Sequence, residues 1–91
     1  MVNNMNNSYK LLKFSAGFCN PCKQLQKVID GIPLPYPIEY HDIDNEESMQ
    51  LAAKMNVRNV PTMILLDNEG NVLKVKAGAM SEKQLMDFLD V

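Results

Sequence analysis

Tryptophan is absent from this sequence, cysteine occurs twice and glycine four times in 91 residues. Nowhere does an apolar run approach the roughly 20 residues that a membrane-spanning helix requires. The first eight residues, Met1 to Ser8, are polar. They lack the apolar stretch of a secretory leader, so a cytoplasmic location is expected unless a leader has been removed. Neither sign of charge dominates: nine Lys and Arg stand against eleven Asp and Glu, interspersed, for a net charge of −2. Without a basic stripe, neither nucleic acid nor an anionic membrane is an expected partner. Two cysteines in one tight pair are too few for the disulfide framework of a small secreted domain. A pair that close also constrains the unfolded chain little, so its chemistry is the better reason for its presence.

What the sequence does have is enough apolar content, 46% of residues, for one core. At this length there is no room for a second lobe. The expected organisation is a flexible segment over residues 1–9 and a single monomeric domain over 10–91. Leu11 to Ala16 reads as a short, mostly apolar strand in which Lys13 is the dissonant residue. A helical pattern runs to Asp30, with Cys22, Leu25, Val28 and Ile29 on one face and Gly31 placed to stop it. Pro21 suits a first helical turn, where its missing N–H leaves no helix bond unmade. Pro33, Pro35 and Pro37 then force an extended connection.

Ile38 to Ile43 alternates in part, like a strand. Asp44 with Glu47 resembles an N-cap and its capping-box partner, opening a helix that faces Met49, Ala52 and Ala53 inward and ends near Asn56. Thr62–Leu66 and Val72–Lys76 read as strands joined by a hairpin turn at Asp67 to Asn71. Ser81 with Gln84 forms a second capping box, and Leu85, Met86, Phe88 and Leu89 give the last helix its apolar face. The order β-α-β-α-β-β-α predicts an α/β fold. Its sheet would have four strands, mixed in direction, with a right-handed parallel crossover first and an antiparallel hairpin last, flanked by helices.

Cys19 and Cys22 bracket the first strand-to-helix junction. At a helix N-terminus, unpaired N–H groups and the macrodipole favour an anion, which lowers a thiol pKa and raises the share of nucleophilic thiolate. Cys22, one turn further and on the apolar face, would be shielded yet able to reach Cys19. An exposed attacker with a covered resolver is what thiol–disulfide exchange needs. A static disulfide and half of a metal site stay open at this point. A zinc site, however, wants about four ligands, and His41 is the one histidine available; no metal is expected.

Several segments together resemble the thioredoxin family: Phe18-Cys19-Asn20-Pro21-Cys22-Lys23, Asp42-Ile43-Asp44, Val57-Arg58-Asn59-Val60-Pro61-Thr62 and Gly78-Ala79-Met80-Ser81. The likeness spans Leu11 to Leu89 and implies a minimal thioredoxin fold and a protein-disulfide reductase. It implies that Cys19 attacks, that Cys22 resolves and that the two form the redox disulfide. It implies that Pro61 is cis and faces the pair, and that Val60, Phe18 and Gly78 line a rim for an extended disulfide-containing protein substrate. No bound cofactor is implied; electrons would come from a thioredoxin-reductase-like enzyme or from glutathione.

The sequence departs from the family pattern at four points. Asn20 replaces the usual glycine before Pro21 and is placed to tune thiolate stability. Phe18 replaces the usual tryptophan, keeping an aromatic rim without the indole donor. Lys13 stands where thioredoxins carry a buried acid. A charged lysine cannot take that acid's role, although a desolvated one with a lowered pKa could. Either its stem threads past the sheet and keeps the ammonium wet, or its charge lies near the pair and makes it more oxidising. Finally, Cys19 comes too early for the leading strand and helix of thioredoxins, giving a trimmed chain of glutaredoxin size. A glutathione-dependent enzyme and a non-catalytic binding module are therefore the alternatives. Elsewhere, His41 reads as a strand residue without chemistry, the methionines as core filler, and Asp44 as a cap rather than half of a carboxylate pair with Asp42. Lys23 reads equally as added positive potential near Cys19 or as a solvated residue.

Overall fold

The computed structural model describes residues 9–90, so the flexible segment expected over 1–9 lies outside it except for Tyr9. That ring packs edge-on against Tyr36, centroids 5.3 Å apart. Seven elements follow in the expected order: β1 (Lys10–Ser15), α1 (Asn20–Asp30), β2 (Ile38–Asp42), α2 (Glu46–Lys54), β3 (Thr62–Leu66), β4 (Val72–Ala77) and α3 (Glu82–Leu89). The sheet order is β2-β1-β3-β4, with β1 and β2 parallel and the other two pairings antiparallel.

The central strands are apolar at successive positions because both faces of the sheet are covered. Leu11, Met63 and Leu65 pack with Leu25 and Ile29 of α1 and Leu85, Phe88 and Leu89 of α3. Leu12, Phe14 and Ile64 face the other way, onto Ala52 of α2. Each fully buried leucine contributes about 1.5–3 kcal/mol over an exposed one, so these two layers carry the fold. Strand alternation puts Lys13 on the face of Leu11, directly under α1.

Local chemistry sets the helix ends. The Ser81–Gln84 capping box is present, with the Gln84 N–H donating to Ser81 Oγ at 3.1 Å and the Ser81 N–H to Gln84 Oε1 at 2.9 Å. α2 differs from expectation by one residue. Its N-cap is Asn45, whose Oδ1 accepts the N–H groups of Glu47 and Ser48 at 3.0 and 3.2 Å. Asp42 explains the shift: its carboxylate holds the Asp44 N–H at 2.9 Å, and Asp44 turns to accept the Gly17 N–H at 3.4 Å. Helix α2 stops at Lys54, and Asn56 leaves it in the left-handed region at φ 63°.

Gly31 stops α1 as expected, in right-handed backbone at φ −88° with its N–H on the Val28 and Ile29 carbonyls. Met49, Ala53 and Met86, all placed inward by periodicity, are exposed. α3 lacks a basic residue in its last turn. Lys74, arriving from β4, serves instead: its ammonium donates to the carbonyls of Asp87, Phe88 and Asp90 at 3.4, 3.1 and 2.5 Å.

Candidate active site

Cys19 is the N-cap residue of α1, in extended backbone at φ −97° and ψ 104°. Its sulfur accepts the Cys22 N–H at 3.1 Å, taking the place of a capping oxygen. The two residues are joined as a disulfide, Cα atoms 5.2 Å apart. Their exposure is unequal: Cys19 is half-buried, whereas Cys22 retains 3% of its surface and belongs to the buried face of α1 with Leu25 and Ile29. The first turn of α1 carries no acidic residue to offset its dipole. Asn20 and Pro21 form the exposed first positions of the helix, and Lys23 points to solvent.

Across from the pair, the chain enters β3 through a cis Val60–Pro61 peptide. The Val60 carbonyl oxygen lies 3.7 Å from Cys19 Sγ. Pro61 is fully buried, and its own carbonyl accepts the Gly78 N–H at 2.8 Å. Gly78 adopts φ +93°, a conformation that a side chain would strain. Phe18, immediately before Cys19, is 99% exposed. Loop 60–61, the start of α1 and the Gly78 turn thus meet at one end of the sheet.

The thioredoxin family model matches residues 1–91. The chain belongs to the thioredoxin family. It is 35% identical over 85 residues to thioredoxin of Buchnera aphidicola from Acyrthosiphon pisum, covering 91% of this chain and 78% of that one. Against thioredoxin of Pseudomonas aeruginosa it is 34% identical over 82 residues, covering 88% and 75%. Among solved structures, a mutant thioredoxin from Halobacterium salinarum superimposes with a TM-score of 0.80 at 28% identity, covering 94% of this chain and 75% of that one. Fasciola hepatica thioredoxin gives 0.74 at 26% identity, covering 93% and 84%. With its paired cysteines at the helix junction, the protein is a thiol–disulfide oxidoreductase, as its thioredoxin relatives are.

Of the two places expected for it, Lys13 takes the one near the pair. Its side chain is 3% exposed, so the ammonium is not kept wet, and its recorded partners are oxygens rather than a cysteine sulfur. Nζ donates to the Cys22 carbonyl at 3.2 Å and to Gln26 Oε1 at 2.7 Å. Gln26 Nε2 in turn donates to Asp30 Oδ1 at 2.9 Å and to the Tyr40 hydroxyl at 3.1 Å. The Tyr40 ring lies 5.8 Å from Nζ. Burial pushes the Lys13 pKa below its usual value, and the negative charge of Asp30 partly restores it.

Gln26 and Tyr40 were not singled out by sequence reasoning. The readable sign was a glutamine set among Cys22, Leu25 and Ile29 on an otherwise apolar helical stripe. Tyr40 needed the β1–β2 register, in which it pairs with Lys13.

His41 stands on the opposite face of the sheet, stacked on Phe14 with centroids 5.1 Å apart. Its ring nitrogens meet Glu39 Oε1 at 2.7 Å and Ser48 Oγ at 3.1 Å, so hydrogen bonds within the fold account for it. Among the described residues, no group of three or more His, Cys, Asp or Glu is placed to hold a metal ion.

Proposed function

We propose that this thioredoxin-family protein works as a reductant of disulfides in other proteins. The observation that carries the reading is Cys19 Sγ itself: half-exposed, seated at a helix N-terminus and holding the Cys22 N–H at 3.1 Å. In the dithiol form that N–H and the helix dipole stabilise a Cys19 thiolate. The thiolate attacks one sulfur of a substrate disulfide; a Cys19–substrate bond forms and the other substrate sulfur leaves as a thiolate. Cys22, deprotonated, then attacks Cys19 Sγ, releasing the second substrate sulfur and leaving the Cys19–Cys22 disulfide.

Val60, Pro61 and Gly78 form the backbone surface on which an extended substrate segment rests, and Phe18 supplies the apolar rim. The sulfurs do the redox chemistry themselves, with no bound cofactor. A separate thioredoxin-reductase-like enzyme returns two electrons to the pair. The glutathione-dependent alternative gains nothing from the relatives, which are thioredoxins, and a non-catalytic module would have no use for both cysteines at exchange distance. No described helix is long and apolar enough to cross a membrane; the proposed reductant works as a monomer in the cytoplasm.

Insulin reduction driven by dithiothreitol tests the reading. Wild-type protein accelerates precipitation of the insulin B chain and Cys19→Ser does not; equal rates would sink it.

A further inference from the structure

Lys13 is a buried titratable group that the exchange reaction, as written above, leaves without a task. Its position is a costly one. Burying an ammonium is expensive unless it is paired, and the partners of Nζ are a backbone carbonyl and an amide, with no carboxylate in direct contact. The helix dipole opposes a cation as well, since Cys22 lies in the first turn of α1. A leucine or methionine would fill the same space on this face beside Leu11 and Met63 without those costs. One thing distinguishes the site: the carbonyl that receives the ammonium belongs to the resolving cysteine, and its oxygen is four covalent bonds from Cys22 Sγ.

We infer that Lys13 is a positioning residue for exchange, whose charge, anchored on the Cys22 carbonyl, stabilises the Cys22 thiolate and biases the pair toward its reduced form. In the resolving step Cys22 gives its proton to solvent. Its thiolate bonds to Cys19 Sγ as the Cys19–substrate bond breaks, and the substrate sulfur leaves with the electron pair and is protonated from solvent. Lys13 donates no proton in this sequence. It lowers the cost of the anion that must form beside it.

The other groups around Nζ are Gln26 and Asp30 from α1 and Tyr40 from β2, while Met63 of β3 is the register partner of Lys13. Asp30 is exposed and contacts Gln26 rather than Nζ, so it offsets the charge only in part. A unit charge at this range, in a partly solvated site, changes an equilibrium by about tenfold.

This inference rests on the exchange reading, and one experiment separates the two. The protein is equilibrated with mixtures of reduced and oxidised glutathione, and the dithiol fraction is measured for wild type, Lys13→Met and Lys13→Glu. Lys13→Met is expected to shift the equilibrium about tenfold toward the disulfide, and Lys13→Glu further in the same direction. The pH midpoint for resolving a preformed Cys19 mixed disulfide should rise by about one unit in Lys13→Met.

Gln26→Glu changes a half-exposed helix position and leaves β1 intact. It places a carboxylate against the ammonium and should shift the equilibrium in the direction of Lys13→Met, whether or not the Lys13 variants fold. Wild type that never equilibrates with glutathione would overturn the exchange reading. A wild type that equilibrates, with variants of unchanged potential and unchanged resolving profile, would overturn the role of Lys13 alone.

Discussion

Two lysines leave this sheet and end on helix carbonyls, at opposite ends of the helix dipole. Lys74 reaches the last carbonyls of α3, where partial negative charge accumulates and four C=O groups lack helical partners. Lys13 reaches a carbonyl in the first turn of α1, where the dipole is positive. Lys74 is half-buried, and Lys13 is sealed under the helix. The first placement follows directly from what stabilises a helix. The second works against it, and where a fold accepts a local cost the reason is sought in chemistry.

Substitution should break this pairing in opposite ways. Lys74→Met removes three charge-assisted contacts at the end of α3 and should lower stability by about 1–2 kcal/mol. In a domain of this size that is a fall of roughly 4–8 °C in Tm per kcal/mol, read by thermal or urea unfolding, with the glutathione equilibrium unchanged. An altered equilibrium would mean that the two lysines are not separable.

Lys13→Met should affect stability less, and its effect should depend on pH. Because burial lowers the Lys13 pKa in the folded protein, the unfolded chain binds more protons between that lowered value and the ordinary 10.5. Wild-type stability should therefore carry a component that rises with pH across that window, the burden of the buried charge being fullest below it. Urea titrations of the oxidised protein from neutral pH to 10.5 should show this rise in wild type and its loss in Lys13→Met. Parallel curves would place the Lys13 ammonium in contact with solvent.

The smallest effect belongs to a third lysine, Lys10, paired with Glu39 at 3.0 Å on the exposed surface. Hydrogen bonds from Lys10 and His41 hold the Glu39 carboxyl below its usual range. Its contribution is present above pH 4.5 and is lost as pH falls through the lowered folded value. Lys10→Gln should cost no more than about 0.5 kcal/mol. A larger loss in urea unfolding at neutral pH would show that exposure is a poor guide to the worth of these charges.

The same contrast explains what was legible in the sequence. Leu11, Leu12, Met63, Ile64 and Leu65 announce central strands because a sheet covered on both faces demands apolar residues at successive positions. Ser81 and Gln84 announce a helix start because both halves of the box lie within one turn. The cysteine pair and Val60-Pro61-Thr62 carried the family likeness through local motifs. Which of two places Lys13 takes, and the partner of Lys74, were not legible. One depends on the β1–β2 register and a glutamine thirteen residues away, the other on a helix end 13 to 16 residues downstream. The cap of α2 was missed by one position because Asp44 and Asn45 are adjacent and equally suited to it, and the tie is broken by Asp42.

Phe18 carries a consequence for how long a partner stays. A benzyl ring left 99% in water offers about 1.5–3 kcal/mol to any surface that covers it, or roughly 10- to 100-fold in affinity. That gain is indifferent to the covering sequence, because dispersion and hydration do not read side-chain identity. It also falls well short of what a long-lived complex requires. A partner held by this ring would be captured without selection and released without a separate driving force, which suits the proposed reductant of protein disulfides.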